Sequence, residues 1–251
     1  QKANNLQIWN EVLDPHRRHV ILRVDDAAVI TAVRVVDGET LARLDTTRTL
    51  TAKYQASRLA GRAGTTLVSG QDTDVFRALL SPVDRLDRKV LSALDPLGPP
   101  EEGTVLSIEA LFAELQELRG IRIPKGELQE RNRGAALQRI VCDLLGLPRY
   151  ADHGQFPDIP CQALEVKAQS SPTIDLGLVT PDDTEAARGL AGLRHCDARY
   201  LVAELVTFNR EFEVTNVVVS TGQDFFREFR AFEGLRQNRK LQMHLPVDFF
   251  L

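Results

Sequence analysis

In RGAALQRIVCDLLG, apolar residues recur at Leu137, Ile140, Val141, Leu144 and Leu145, in steps of three and four that give an α-helix one buried face. SIEALFAELQELRG, Ser107 to Gly120, has the same character, opened by a serine cap and stopped by a glycine. The period shortens in HVILRVDDAAVITAVRVV, His19 to Val36, which predicts a hairpin of β-branched strands turning near Asp25 and Asp26. Thr73 to Leu94 has helical spacing broken at Pro82. Further on, LEVKAQ predicts a strand, followed by a turn at Ser170 to Pro172 and a short apolar run, IDLGLV. PDDTEAARGLAGLRH then predicts a capped helix, YLVAELVTF and EFEVTNVVVS two strands, GQDFFREFRAFEGL a helix, and KLQMHLPVDFFL closing extended structure. This order predicts an α/β (α+β) fold: a mixed central β-sheet flanked by helices, preceded by an N-terminal region of β-hairpin plus helices. The stretch DPLGPPEEG, Asp95 to Gly103, interrupts every periodicity, so the expected division is an N-terminal region 1–100 and a C-terminal domain 101–251.

One strand breaks the apolar pattern. In LEVKAQ, side chains two apart share a face, so Glu165, Lys167 and Gln169 look one way and Leu164, Val166 and Ala168 the other. The sequence contains two (D/E)xK triplets. Asp87 to Lys89 falls in a helix-patterned run, where residues two apart diverge; Glu165 to Lys167 falls in a strand, where they converge. Asp158 precedes Glu165 by seven residues, enough for a turn at Pro160 to bring its carboxylate back beside the strand. Two carboxylates and a lysine on one face suit phosphodiester hydrolysis. Hard oxygen ligands hold Mg²⁺ while leaving positions for water and a phosphate oxygen, and the lysine orients or helps deprotonate the attacking water. The metal also reverses the repulsion that the carboxylates exert on a phosphate.

These residues carry a family resemblance. A PD dipeptide, a short spacer and E-V-K on a strand, after a helix containing GxxxQ (Gly134 to Gln138), resembles the PD-(D/E)XK nuclease superfamily, particularly type II restriction endonucleases. The six residues between Asp158 and Glu165 are similar to the spacing in the MutH group, and KLQMHLPVDFF is faintly similar to the closing segment there. The resemblance runs over roughly residues 133–171 and implies a restriction-endonuclease-like core. It also implies Asp158 and Glu165 as metal ligands, Lys167 serving the nucleophile, and an additional helix residue at the site. Gln138, at the edge of the apolar face, is the expected choice over Asp143, which points more towards solvent; Glu130 fits only if the helix begins before Gly134. The implied activity is sequence-specific cleavage of double-stranded DNA with Mg²⁺, by a homodimer that cuts both strands. A MutH-like nicking enzyme and a non-catalytic DNA-binding module on the same fold are the alternatives.

The formal charge of −4 argues against a generally basic DNA-binding surface, yet the cations are unevenly placed. Arg43, Arg48, Lys53, Arg58 and Arg62 face a single acid, Asp45, in one Thr-rich stretch, expected to contact DNA together with Gln169, Ser170 and Ser171. Arg227, Arg230, Arg236, Arg239 and Lys240 form a second basic stretch, and Asp175 either caps a turn or lines the site. Five histidines lack metal spacing, and Cys142, Cys161 and Cys196 form neither a CxxC pair nor a disulfide framework, which fits a reducing, cytoplasmic setting. Nothing resembles a secretory signal or a bilayer-spanning run.

Overall fold

A computed structural model describes residues 5–9, 13–25, 27–44, 51–83, 88–124, 130–147, 149–150, 153–231 and 238–250. In chain order its first elements are β1 (Asn5–Trp9), β2 (Arg18–Val24), β3 (Ile30–Asp37), α1 (Gly38–Leu44), β4 (Thr51–Arg58), β5 (Thr66–Leu67), α2 (Arg88–Ala93) and α3 (Ile108–Leu115). They are followed by β6 (Arg122–Pro124), α4 (Glu130–Leu144), β7 (Leu164–Gln169), β8 (Thr173–Gly177), β9 (Arg199–Phe208), β10 (Glu211–Thr221), β11 (Phe229–Ala231) and β12 (Asn238–His244). The fold is mixed α/β.

The chain forms two compact units, one of Gln1–Tyr54 with Leu235–Leu251, the other of Gln55–Gly234. The division expected near residue 100 therefore moves. DPLGPPEEG does contain turns, with Gly98 N–H donating to Asp95 O, but the apolar residues on its two sides bury together. Leu91 shares a core with Leu111 and Leu137, and Phe76 shares another with Val202, so residues 55–100 belong to the second unit.

In the first unit, β12 pairs antiparallel with β1 and with the start of β4, and β2 and β3 form an antiparallel hairpin. Asp25 closes its turn: Oδ1 accepts from the Ala27 and Val29 N–H groups. Ile21 and Val36, on one hairpin face, join Leu41, Leu241, Met243 and Phe249 in the core.

The second unit is built on a five-stranded mixed sheet in the order β5-β10-β9-β7, with β6 on β10. β7 runs parallel to β9, β9 antiparallel to β10, and β10 parallel to β5. On one face Leu164, Val166, Leu201, Ala203, Val217 and Val219 pack with residues of α3 and α4. The cap and face predicted for α3 are present: Ser107 Oγ accepts from Ala110 N–H, and Ile108, Leu111 and Leu115 are buried.

The opposite face departs from expectation, because among the described residues no helix covers it. Tyr200, Val202 and Val218 pack instead with Ile174 of β8, with Phe225 and Phe229, and with Ala187, Leu190 and Leu193 from irregular turns. Helical spacing of these last three suggested a helix over Pro181 to His195. Gly189 and Gly192, at φ of +86° and +92°, and Ala191 at +39°, hold the backbone in the left-handed region and prevent it. This turn segment lies close against the end of β10: a Cβ at Gly222 would come within 2.2 Å of Pro181 O. The helix expected over Gly222 to Leu235 is likewise replaced, as far as Ala231, by a 3-10 turn at Phe225–Arg227 and by β11, which pairs with β4; the rest of that range lies outside the described residues. Phe225 and Phe229 stack at 4.4 Å, so their four-residue spacing serves an aromatic contact. Among the described residues, the run from Thr73 to Leu94 holds a 3-10 turn, Asp74–Phe76, and α2; residues 84–87 lie outside them.

Candidate active site

After Asp158 the chain reverses through a 3-10 turn, Pro160–Gln162, with Ala163 at φ +47°. Ile159 and Leu164 exchange backbone hydrogen bonds at 2.9 and 3.1 Å, which sets Asp158 beside the first residues of β7. Gln162 anchors the reversal from within the core, accepting from Leu106 N–H at 3.0 Å and donating to Thr104 O at 2.9 Å.

Asp158 is joined to Glu165 and to the residue after it. The Asp158 N–H donates to Glu165 Oε2 at 3.1 Å, and Asp158 Oδ2 accepts from Val166 N–H at 2.8 Å. Lys167 Nζ lies 2.6 Å from Glu165 Oε1. Gln138, buried on α4, donates from Nε2 to Asp158 O at 2.8 Å, and Gln155 donates to the same carbonyl at 3.0 Å. The structure thus brings Gln138, Asp158, Glu165 and Lys167 together. Gln138 reaches Asp158 through its backbone carbonyl, which is a positioning contact. Asp143 is exposed, in keeping with the helical wheel; α4 does begin at Glu130, whose side chain lies outside the described residues.

Lys167 is partly buried, and burial works against its charge. The Glu165 carboxylate outweighs that cost, with Asp158 and Asp175 adding to it, and the ammonium is held above the usual lysine range. Asp175 combines both roles considered for it, since its Oδ1 caps Gly177 N–H at 2.9 Å while its charge reaches Lys167. Tyr200 stands opposite Glu165 in the parallel β7–β9 register. Burial, then the Glu165 charge, pushes its phenol well above its ordinary value.

Two carboxylates are a small donor set: among the described residues no cluster of three or more His, Cys, Asp or Glu is arranged to hold a metal. Such a set does not make a cage. It does fit Mg²⁺, which keeps several waters and binds through one or two carboxylates plus phosphate oxygens.

The expected DNA contacts are placed less uniformly. Gln169 Nε2 donates to Ser171 Oγ at 2.8 Å and to Thr173 O at 2.6 Å, holding the turn after β7, and Arg133 of α4 donates to Ser170 Oγ at 2.6 Å. A cavity of about 280 Å³ runs beside this turn, lined in part by Arg58 and Glu204. Arg58 does not present a bare cation to it. Its guanidinium donates to Glu228 at 2.9 and 2.8 Å, to Glu204 at 2.8 Å and to Gly64 O at 2.9 Å, so its charge is matched by two carboxylates. Arg62 is exposed, 3.7 Å from Glu228, and Arg43 lies on α1 in the first unit, beside Glu39 and Thr40. Arg48 and Arg236 lie outside the described residues, as do the side chains of Lys53, Arg239 and Lys240.

Sequence reasoning passed over Gln155 and Tyr200. Gln155 carries no periodic signal, and Tyr200 reaches Glu165 only through strand pairing. No family model matches the chain, and no curated protein or solved structure matches it. Among the described residues no helix is long and apolar enough to cross a membrane.

Proposed function

We propose that the chain is a Mg²⁺-dependent endodeoxyribonuclease of the restriction type, hydrolysing phosphodiester bonds in double-stranded DNA from a PD-(D/E)XK core. The observation that carries this reading is the meeting of Asp158, Glu165 and Lys167 at one strand start, with Gln138 reaching in from the preceding helix. The parallel pairing of β7 with a later strand gives it further support.

Mg²⁺, when bound, supplies Lewis-acid stabilisation of phosphoryl charge and a more acidic water. Asp158 and Glu165 are the residues that would hold it. Hydrogen bonds from Val166 N–H and Asp158 N–H fix the two carboxylates before any ligand arrives, so little reorganisation remains for binding. Lys167, kept charged by its neighbours, is suited to orient the attacking water and to face the phosphate oxygens. As an ammonium it has no lone pair with which to accept a proton. Gln138 and Gln155 position Asp158 through its carbonyl.

The test is digestion of a fully sequenced phage or plasmid DNA with Mg²⁺, comparing the parent protein with Lys167→Ala. Discrete fragments that disappear in the variant support the proposal. Nicked circles in their place would assign a MutH-like nicking activity. Varied DNA left both uncut and unbound would overturn the reading.

A further inference from the structure

The β2–β3 hairpin carries apolar side chains on both faces. Ile21 and Val36 face the core of the first unit, as do Arg23 and Arg34, whose guanidinium groups lie over Phe250 and Phe249. The opposite face is formed by cross-strand pairs Val20–Val35, Leu22–Val33 and Val24–Ile30, extended by Val29 at the turn. All seven are open to solvent, from 48% exposed at Leu22 to 63% at Val20. Among the described residues of this row the charges are Arg18 and Asp37, directly opposite one another at one end, which cancel.

A strand pair that is apolar on both sides is the pattern of a sheet buried on both sides. A two-stranded hairpin also lacks further strands to support it. We propose that this face is covered by the same face of a second copy of the chain, two hairpins stacking about a two-fold axis as a small sandwich. The patch has the properties such an isologous contact needs. Its apolar pairs carry no charge, so a second copy is not repelled, and its aliphatic character lets it pack against a copy of itself. Its extent is also sufficient. The seven side chains expose about 600 Å², the upper end of what a monomeric protein shows, and two facing copies cover on the order of 1,200 Å² in total, at the threshold of a specific interface. The inference uses the hairpin alone and stands whether or not the chain cuts DNA.

Sedimentation equilibrium from about 1 to 100 μM, the range in which an interface of this size should associate, tests it. The parent is expected to reach twice its 28.0 kDa mass, and Leu22→Lys/Val33→Lys to remain monomeric with an unchanged circular dichroism spectrum. Val247→Lys, a change at an 85% exposed residue outside the hairpin, is expected to dimerise like the parent. A parent that stays monomeric throughout overturns the proposal, as does a dimer that survives the double lysine change. Loss of the dimer in Val247→Lys as well would move the contact away from this face and overturn it too.

Discussion

Replacing Glu165 with Gln keeps shape and one of its two acceptor oxygens but removes the charge that holds Lys167. At 2.6 Å and an effective dielectric of about 20, the gross attraction is about 6 kcal/mol, much of it offset by the desolvation of both groups. Breaking one partner of a buried pair costs about 3–5 kcal/mol, and the 23% exposure of the Lys167 side chain places this case near 3 kcal/mol at neutral pH. The pH dependence gives a second handle. In the parent, the folded-state value of Lys167 is raised, so its contribution is complete below the unfolded value of about 10.4 and is lost as pH climbs through the folded one. In Glu165→Gln, burial is opposed only by Asp158 and Asp175, and the Lys167 value falls below that of the unfolded chain. The unfolded chain then binds more protons, and the variant gains stability as pH rises. The deficit should therefore be largest near pH 7 and narrow towards about pH 9.5. Urea unfolding followed by circular dichroism at both pH values, with Lys167→Met and the double variant completing a cycle, measures this. The double variant should recover roughly 2 kcal/mol of the summed losses. A coupling below about 0.5 kcal/mol, or a deficit that does not change with pH, would refute the argument.

Arg199 is fully buried with its Nε 2.7 Å from Asp72 Oδ1, its Nη2 donating to Leu106 O at 2.7 Å and its guanidinium over Phe76. Arg199→Met strands the Asp72 carboxylate and should cost about 3–5 kcal/mol in thermal melts; a loss under about 1 kcal/mol would contradict that account. Cys142 and Cys161 are buried, and burial, first among the causes, pushes both thiols up to about 12, so iodoacetamide at neutral pH should leave them unmodified in the folded protein and label them in concentrated urea. Rapid labelling without denaturant would count against their burial. Gln138→Ala removes a buried hydrogen bond to the Asp158 carbonyl and should cost about 1–2 kcal/mol. If the chain cuts DNA, kcat should fall while DNA affinity holds, and an equal loss of both would argue against a positioning role.

The candidate site was legible because its key relation is local. Glu165 and Lys167 share a face by strand geometry alone, and Asp158 needs only one turn at Pro160 to return. Elements confirmed along the chain are those whose period matched their environment, such as α4 against β7 and the β9–β10 pair. Failures arose where one spacing served two structures. Ala187, Leu190 and Leu193 recur every three residues as a helix would, yet three left-handed positions bury them through turns. The fate of Arg58 was not readable either. Whether a cation faces solvent or two carboxylates depends on Glu204 and Glu228, which lie 146 and 170 residues away.

The way Asp158 is held bears on how the two layers of the second unit meet. Its carbonyl accepts from Gln138 on α4, its carboxylate from the Val166 backbone on β7, and its N–H donates to Glu165 on the face turned towards the aromatic layer. Val166 itself points the other way, into the core shared with α4. One residue therefore ties the helix-covered face of the sheet to the charged edge of the opposite face. A shift of α4 along β7 would pull on the Asp158 carbonyl and, through the Asp158 backbone to its N–H, on Glu165 and its ion pair with Lys167. Packing changes in the first core, such as truncation at Leu137 one residue before Gln138, should thus reach the carboxylate pair without touching it. Changes at Val202 would bear on the pair by another route, because Val202 stands opposite Lys167 in the β7–β9 register and on the same face of the sheet.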